Sequence, residues 1–218
     1  MLRRILRELK AHAPFTAIGA VTGIIVMAII LITNLSASIS EAVFYTLHPL
    51  HVVLSALVTT AIYRRYSQGR LWAAILIGYC GSIGIATLSD AVIPYLEGAL
   101  FSIPLEFHLP FLETGAFPYL GVPKWVVVNG AAAIGITIGY WKQFTKIPHS
   151  GHVLLSTWAS LFNFAAFGII SWAQMPLIFV FLFLAVWLPC CLSDIVFPLL
   201  FVRKVASGRD MAYTSHHH

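Results

Sequence analysis

The chain has 218 residues, 59% of them hydrophobic and only 10% charged, with a mean hydropathy of +0.87. A soluble domain of this size must present a polar exterior that such a composition cannot supply, so the class is a polytopic membrane protein. The formal net charge of +5 is no nucleic-acid footprint, because the basic residues gather at the ends of apolar runs.

In chain order, Met1 to Pro14 is basic and amphipathic, with Leu2, Ile5, Leu6 and Leu9 at helical spacing. It reads as a short helix lying at a lipid surface. The first span is predicted from Phe15 to about Ala37. The second runs from about Glu41 to Tyr66, and the third from about Leu71 to Leu96. Residues 97–123 hold Pro104, Pro110, Pro118 and Pro123 among aromatics, with Glu97, Glu106, His108 and Glu113. Prolines at that density exclude a straight span and predict an extracytoplasmic loop with short helices. The fourth span is predicted over Lys124–Trp141, the fifth over His149–Trp172 and the sixth over Pro176–Val202. Residues 203–218 form a basic tail ending in His216, His217 and His218, which look like the remains of a purification tag. The apolar runs are too long for the ten-residue alternation of a membrane barrel, so the spans are helices.

Charge sets the orientation. With the N-terminus in the cytoplasm, Lys124 alone of the 13 basic residues falls on the outer side. Both termini are therefore expected to be cytoplasmic.

The chain writes one stretch twice. His48-Pro-Leu-His51-Val-Val-Leu-Ser55 reappears as His149-Ser-Gly-His152-Val-Leu-Leu-Ser156, and Leu88-Ser-Asp90-Ala-Val-Ile-Pro94 reappears as Leu192-Ser-Asp194-Ile-Val-Phe-Pro198. The two matches keep the same order and nearly the same offset. Three spans per unit is an odd number, so the copies lie upside down relative to each other. The fold predicted is an all-α integral membrane protein of six transmembrane helices in two inverted three-helix repeats, 15–96 and 124–202. A further match, Ala17-Ile-Gly19 with Gly23 against Ala133-Ile-Gly135 with Gly139, has a different offset and reads as coincidental small-residue packing.

The repeated residues carry the chemistry. His48 and His51, three apart on a helix, share a face, and Ser55 lies one turn on. Asp90 enters from the neighbouring span. Counted from the predicted helix ends, His48, His51 and Asp90 fall near the outer surface, and His149, His152 and Asp194 near the inner one. Each repeat is expected to close its own site, one at each membrane face. Two imidazoles and a carboxylate form a borderline donor set suited to Zn, Fe, Mn, Co or Ni. An aspartate within a span costs about 2.5–3.5 kcal/mol on insertion scales, which makes function its default reading. Pro94 and Pro198 read as helix breaks or kinks beside the aspartates, and Ser89 and Ser193 as residues that hold them or bond their own backbone. Cys190 reads as core filler, and His108 and Glu113 as solvated loop residues.

These residues predict a membrane transporter of a divalent transition-metal ion, with the bilayer and the metal as partners, no nucleic acid and a possible homo-oligomer. The alternative is an intramembrane metalloenzyme acting on a lipid or polyprenyl substrate, in which an open coordination position activates water. A haem protein fares worse, because axial ligands approach from opposite faces. A scaffold whose His/Asp clusters tie spans together is the structural alternative.

Overall fold

The computed structural model describes residues 2–67, 70–118, 120–142, 146–168, 172–191 and 196–202, all helix or connection, with no strand among them. The helices are α1 (Leu2–Thr33), α2 (Ala37–Tyr66), α3 (Leu71–Thr87), α4 (Ile93–Leu100), α5 (Lys124–Trp141), α6 (Lys146–Phe167), α7 (Met175–Cys191) and α8 (Phe197–Leu200). A wider π turn, Leu88–Val92, joins α3 to α4 without a break. Thr16–Thr33, Ala37–Tyr66 and Leu71–Leu100 are long and apolar enough to cross a membrane. Along α1, Ile18, Val21, Ile25, Ile29 and Ile32 recur every three or four residues and are all exposed. Such an apolar stripe, which water would not tolerate, suits a helix integrated in lipid.

Three expectations shift at this point. The basic N-terminal segment is not a separate interfacial helix, because α1 continues through Pro14 without interruption. The third helix continues to Leu100, so Glu97 lies in its last turns, buried, rather than in the loop. The described residues of the Pro-rich segment contain turns and isolated bridges but no short helix. Backbone bonds such as Phe117 N–H to Val122 O and Lys124 N–H to Gly115 O fold it back on itself.

The centre of the bundle is α2 against α6. Around this pair the packing comes in matched sets: α1 lies on α6 and α7, whereas α5 lies on α2 and α3. The π turn packs on α6, and α8 packs on α2. Small residues set the closest approaches. A Cβ on Gly135 would come within 2.3 Å of the Val53 carbonyl and 2.7 Å of the Ala56 side chain, and one on Gly139 within 2.3 Å of the Leu57 carbonyl. A Cβ on Gly19 would come within 2.9 Å of Thr157 Oγ1. At Gly135 and Gly139 the neighbour is backbone, and only glycine lets the helices meet that closely. Ala56 and Thr157 occupy corresponding positions of the two copies of the repeated stretch. Gly19 and Gly135 thus each approach a residue at the same place in its copy of the stretch, Thr157 and Ala56.

Candidate functional site

Asp90 sits on the π turn, and the sequence explains why a turn of that kind stands there. Ile93 N–H bonds to the Leu88 carbonyl, the spacing of a π turn. The next donor along would be Pro94, which has no N–H. In the π register position 94 would have served the Ser89 carbonyl and in the α register the Asp90 carbonyl, so both stand beside the missing donor. Helix α6 replaces it: Ser160 Oγ donates to Ser89 O at 2.9 Å, and the Asn163 amide donates to Asp90 O. Each carbonyl left bare here would cost about 1–3 kcal/mol. Pro94 therefore opens the helix beside the aspartate, as its position in the sequence suggested, without breaking it. Such turns recur at functional sites.

The carboxylate is fully partnered. Oδ2 lies 2.9 Å from His48 Nδ1 and 2.7 Å from His51 Nδ1. Oδ1 accepts from Ser89 Oγ at 2.8 Å and from Ser156 Oγ at 2.9 Å. Asp90, His48, His51, Ser89 and Ser156 are all buried. With each imidazole donating Nδ1–H to the carboxylate, both rings are held in one tautomer and the Nε2 lone pairs point away from Asp90. Neither Nε2 has a hydrogen-bond partner among the described residues. One ligand atom from each of His48, His51 and Asp90 can be chosen so that all three lie within 4.8 Å of one another, close enough to hold a metal ion.

The rings are locked from both sides. Phe44 stacks on His48 at 5.4 Å, and His152 stacks on His51 at 5.6 Å with the planes 4° apart. This last contact corrects the expected depths. His152 belongs to the second pair, placed by counting at the opposite membrane face, yet its ring touches the first. The count failed because α2 begins at Ala37, where Ser36 caps it by accepting from Ile39 N–H. That start puts His51 halfway along a 30-residue helix rather than near its end. The cluster is also not confined to one repeat, since Ser156 and His152 come from the other half. The side chains of His149 and Cys190, and the residues Ser193 and Asp194, lie outside what the structure describes.

Sequence reasoning missed Ser160 and Asn163. The signal was present: His152, Ser156, Ser160 and Asn163 recur at intervals of four, four and three, a polar stripe along one face of an otherwise apolar helix. Of the two roles foreseen for Ser89, its hydroxyl is better placed for the first, at 2.8 Å from Asp90 Oδ1 against 3.3 Å from the Ala86 carbonyl.

His108 and Glu113 do not join the ligand group. They line an open cavity of about 760 Å³ on the loop side, together with Glu41, Glu106, Lys124 and Phe167. Lys124 Nζ bridges Glu41 at 2.8 Å and Glu113 at 3.2 Å, and Tyr45 donates to Glu113. Burial pushes the His108 imidazole below its usual pKa, against the pull of Glu113. Between cavity and site stand two rings: His108 meets Phe44 edge-on at 5.3 Å, and Phe44 stacks on His48.

No family model, curated protein or solved structure matches this chain.

Proposed function

We propose that the protein is a membrane transporter for a divalent transition-metal ion, with His48, His51 and Asp90 as its binding station. The observation that carries this reading is the burial of an imidazole–imidazole–carboxylate group in the middle of an apolar bundle, with both Nε2 atoms unpartnered. A purely structural cluster would satisfy its polar atoms, since an orphan buried nitrogen costs free energy and adds nothing to the fold. A dication would satisfy both nitrogens, and the Asp90 charge would offset part of its own. The donor set suits Zn, Fe, Mn, Co or Ni over Ca or Mg.

The architecture proposed is six crossing helices in two inverted halves. Its support is the matched packing, α1 on α6 as α5 on α2, and the corresponding partners of Gly19 and Gly135. In such folds the site lies at depth, at the junction of the halves, beside an irregular stretch of helix. The π turn and its bonds from α6 fit that description. His149, His152 and Asp194 would form the related group across the pseudo-two-fold axis, adjacent to the first rather than a leaflet away. The acidic cavity would collect cations from the loop side, which would be the outer face if the basic residues lie in the cytoplasm. Rotation of Phe44 and His108 would open the way to His48.

The test is uptake of Zn, Mn, Fe, Co and Ni into proteoliposomes, comparing the wild type with Asp90→Asn. Metal-dependent flux in the wild type, abolished in the variant, is the expected result. Flux equal to empty vesicles for every ion, with metal still bound, would transfer the site to the lipid-active metalloenzyme.

A further inference from the structure

One buried ionisable group has no part in the metal site. Glu97 lies in α4, seven positions after Asp90, and is 3% exposed. Seven residues are close to two helical turns, so the two carboxyls share a face roughly 10 Å apart along the axis. Neither Glu97 oxygen has a hydrogen-bond partner among the described residues.

Among the described residues, nothing around it would keep it ionised. The loop that turns back over it, Phe101–Leu105, is without charge, and the Ile103 carbonyl and Leu105 side chain crowd the adjacent Gly98. Helix α7 packs against α4 and carries no titratable side chain from Met175 to Pro189. Helix α6 also packs there, and its one titratable group among the described side chains is His152, which is stacked on His51. On the π turn the only such group is Asp90, itself negative and already bound by two imidazoles. On α4, Tyr95 turns its ring onto Phe107. An isolated carboxylate in such a place is too costly to persist, and the group takes up a proton instead.

We propose that Glu97 is a proton-binding site within the membrane-spanning bundle, holding its proton at neutral pH and separate from the His48/His51/Asp90 group. The ligand is a proton, carried on a carboxyl oxygen. The inference does not rest on metal transport, since it follows from burial and the absence of partners among the described residues alone.

Dicyclohexylcarbodiimide is the direct probe. It is apolar, enters membranes and reacts with carboxylic acids. The carboxyl proton moves to one carbodiimide nitrogen, the carboxyl oxygen adds to the central carbon, and acyl migration leaves a stable N-acylurea with nothing lost. The full chain in proteoliposomes is treated without added metal, and the labelled residue is identified by peptide mass mapping. Glu97 is expected to be labelled at neutral pH, where a solvated glutamate of pKa about 4.3 is almost wholly carboxylate. The labelled fraction should fall as the pH becomes alkaline, and Asp90 should stay unlabelled. Infrared spectra of the wild type should show a protonated-carboxyl stretch at neutral pH that Glu97→Gln removes. An unlabelled Glu97 at neutral pH, or a carboxyl stretch unchanged in the variant, would overturn the proposal. The wild-type mapping decides the matter even if the variant fails to fold. A protein that moves no metal but labels at Glu97 would retain this site and lose only the transport reading.

Discussion

Asp90 and Glu97 are two carboxyls on one helix face, both buried, and their surroundings are opposite. Asp90 has four side-chain contacts on its carboxyl, from α2, α6 and its own neighbour, whereas the Glu97 carboxyl has no hydrogen-bond partner among the described residues. The difference lies in what surrounds each helix segment. Around Asp90, the opened turn gives up regular backbone bonding, and two neighbouring helices fill the gap with His, Ser and Asn. Around Glu97, regular α-helix resumes and its neighbours are apolar. The first is built to hold a charge in place. The second suits a group that is neutral until something removes its proton.

The largest expected effect follows from breaking the partnered carboxyl. Asp90→Asn removes the anion that fixes both imidazoles and offsets a bound dication. Cobalt affinity, read from its visible absorption or by titration calorimetry, should fall by about 100-fold, the upper range for losing a carboxylate that orients histidine ligands. An unchanged affinity would mean that Asp90 serves only the fold, and the contrast with Glu97 would lose its functional meaning.

The second effect tests why the turn exists. Asn163→Ala leaves the Asp90 carbonyl without a donor and should destabilise the protein by about 1–3 kcal/mol. Pro94→Ala restores a backbone N–H at the position that lacks one. In that background the cost of Asn163→Ala should shrink by about 1 kcal/mol in a double-mutant cycle of thermal or denaturant unfolding. Additive costs would show that Pro94 and Asn163 do not answer each other.

Much of this arrangement was legible in the residues before any coordinates. The doubled His-x-x-His stretch and the Ser-Asp pair pointed to His48, His51, Asp90 and Ser89, because residue identity repeated in order is independent of geometry. The helices themselves were readable from unbroken apolar runs. Depth was not, since hydropathy places a span's end at its first polar residue, while Ser36 caps α2 beyond Glu41 and Ser40. Nor was the meeting of His51 with His152, because it depends on how α2 packs on α6, which no pattern within either helix specifies. Glu97 was misplaced for a related reason: proximity to prolines gave it the character of the loop that follows.

A third effect is smaller and compares imidazoles. His48 and His51 are bound to a carboxylate, whereas His108 in the cavity wall is mainly desolvated, which lowers its pKa. An unfolded His108 takes up a proton near pH 6.5, but the folded one does so only at lower pH. Its contribution to stability is therefore complete above about 6.5 and is lost as pH falls from there through the folded value. His108→Gln should remove that loss, so wild type and variant should diverge only on the acid side. The half-buried position is partly screened, which keeps the difference well under 1 kcal/mol per pH unit. Equal acid sensitivity in both proteins would assign the effect to other groups.

The smallest expected effect is the sharpest test of the contrast. Glu97→Gln replaces a carboxyl with an amide of nearly the same shape, at a place where no partner is lost. If Glu97 is a neutral acid in the folded protein, the exchange is between two uncharged groups, and stability at neutral pH should change by less than about 0.5 kcal/mol. Cobalt affinity should also hold within about twofold, as for sites that share no partner. If Glu97 were instead ionised and held by a cation, the amide would remove a buried charge pair, and breaking such a pair costs about 3–5 kcal/mol. Thermal unfolding of the variant beside Asp90→Asn separates the two cases. A large loss for Glu97→Gln would place a cation beside it, and the two carboxyls of this helix face would then differ in the ion they hold rather than in whether they hold one.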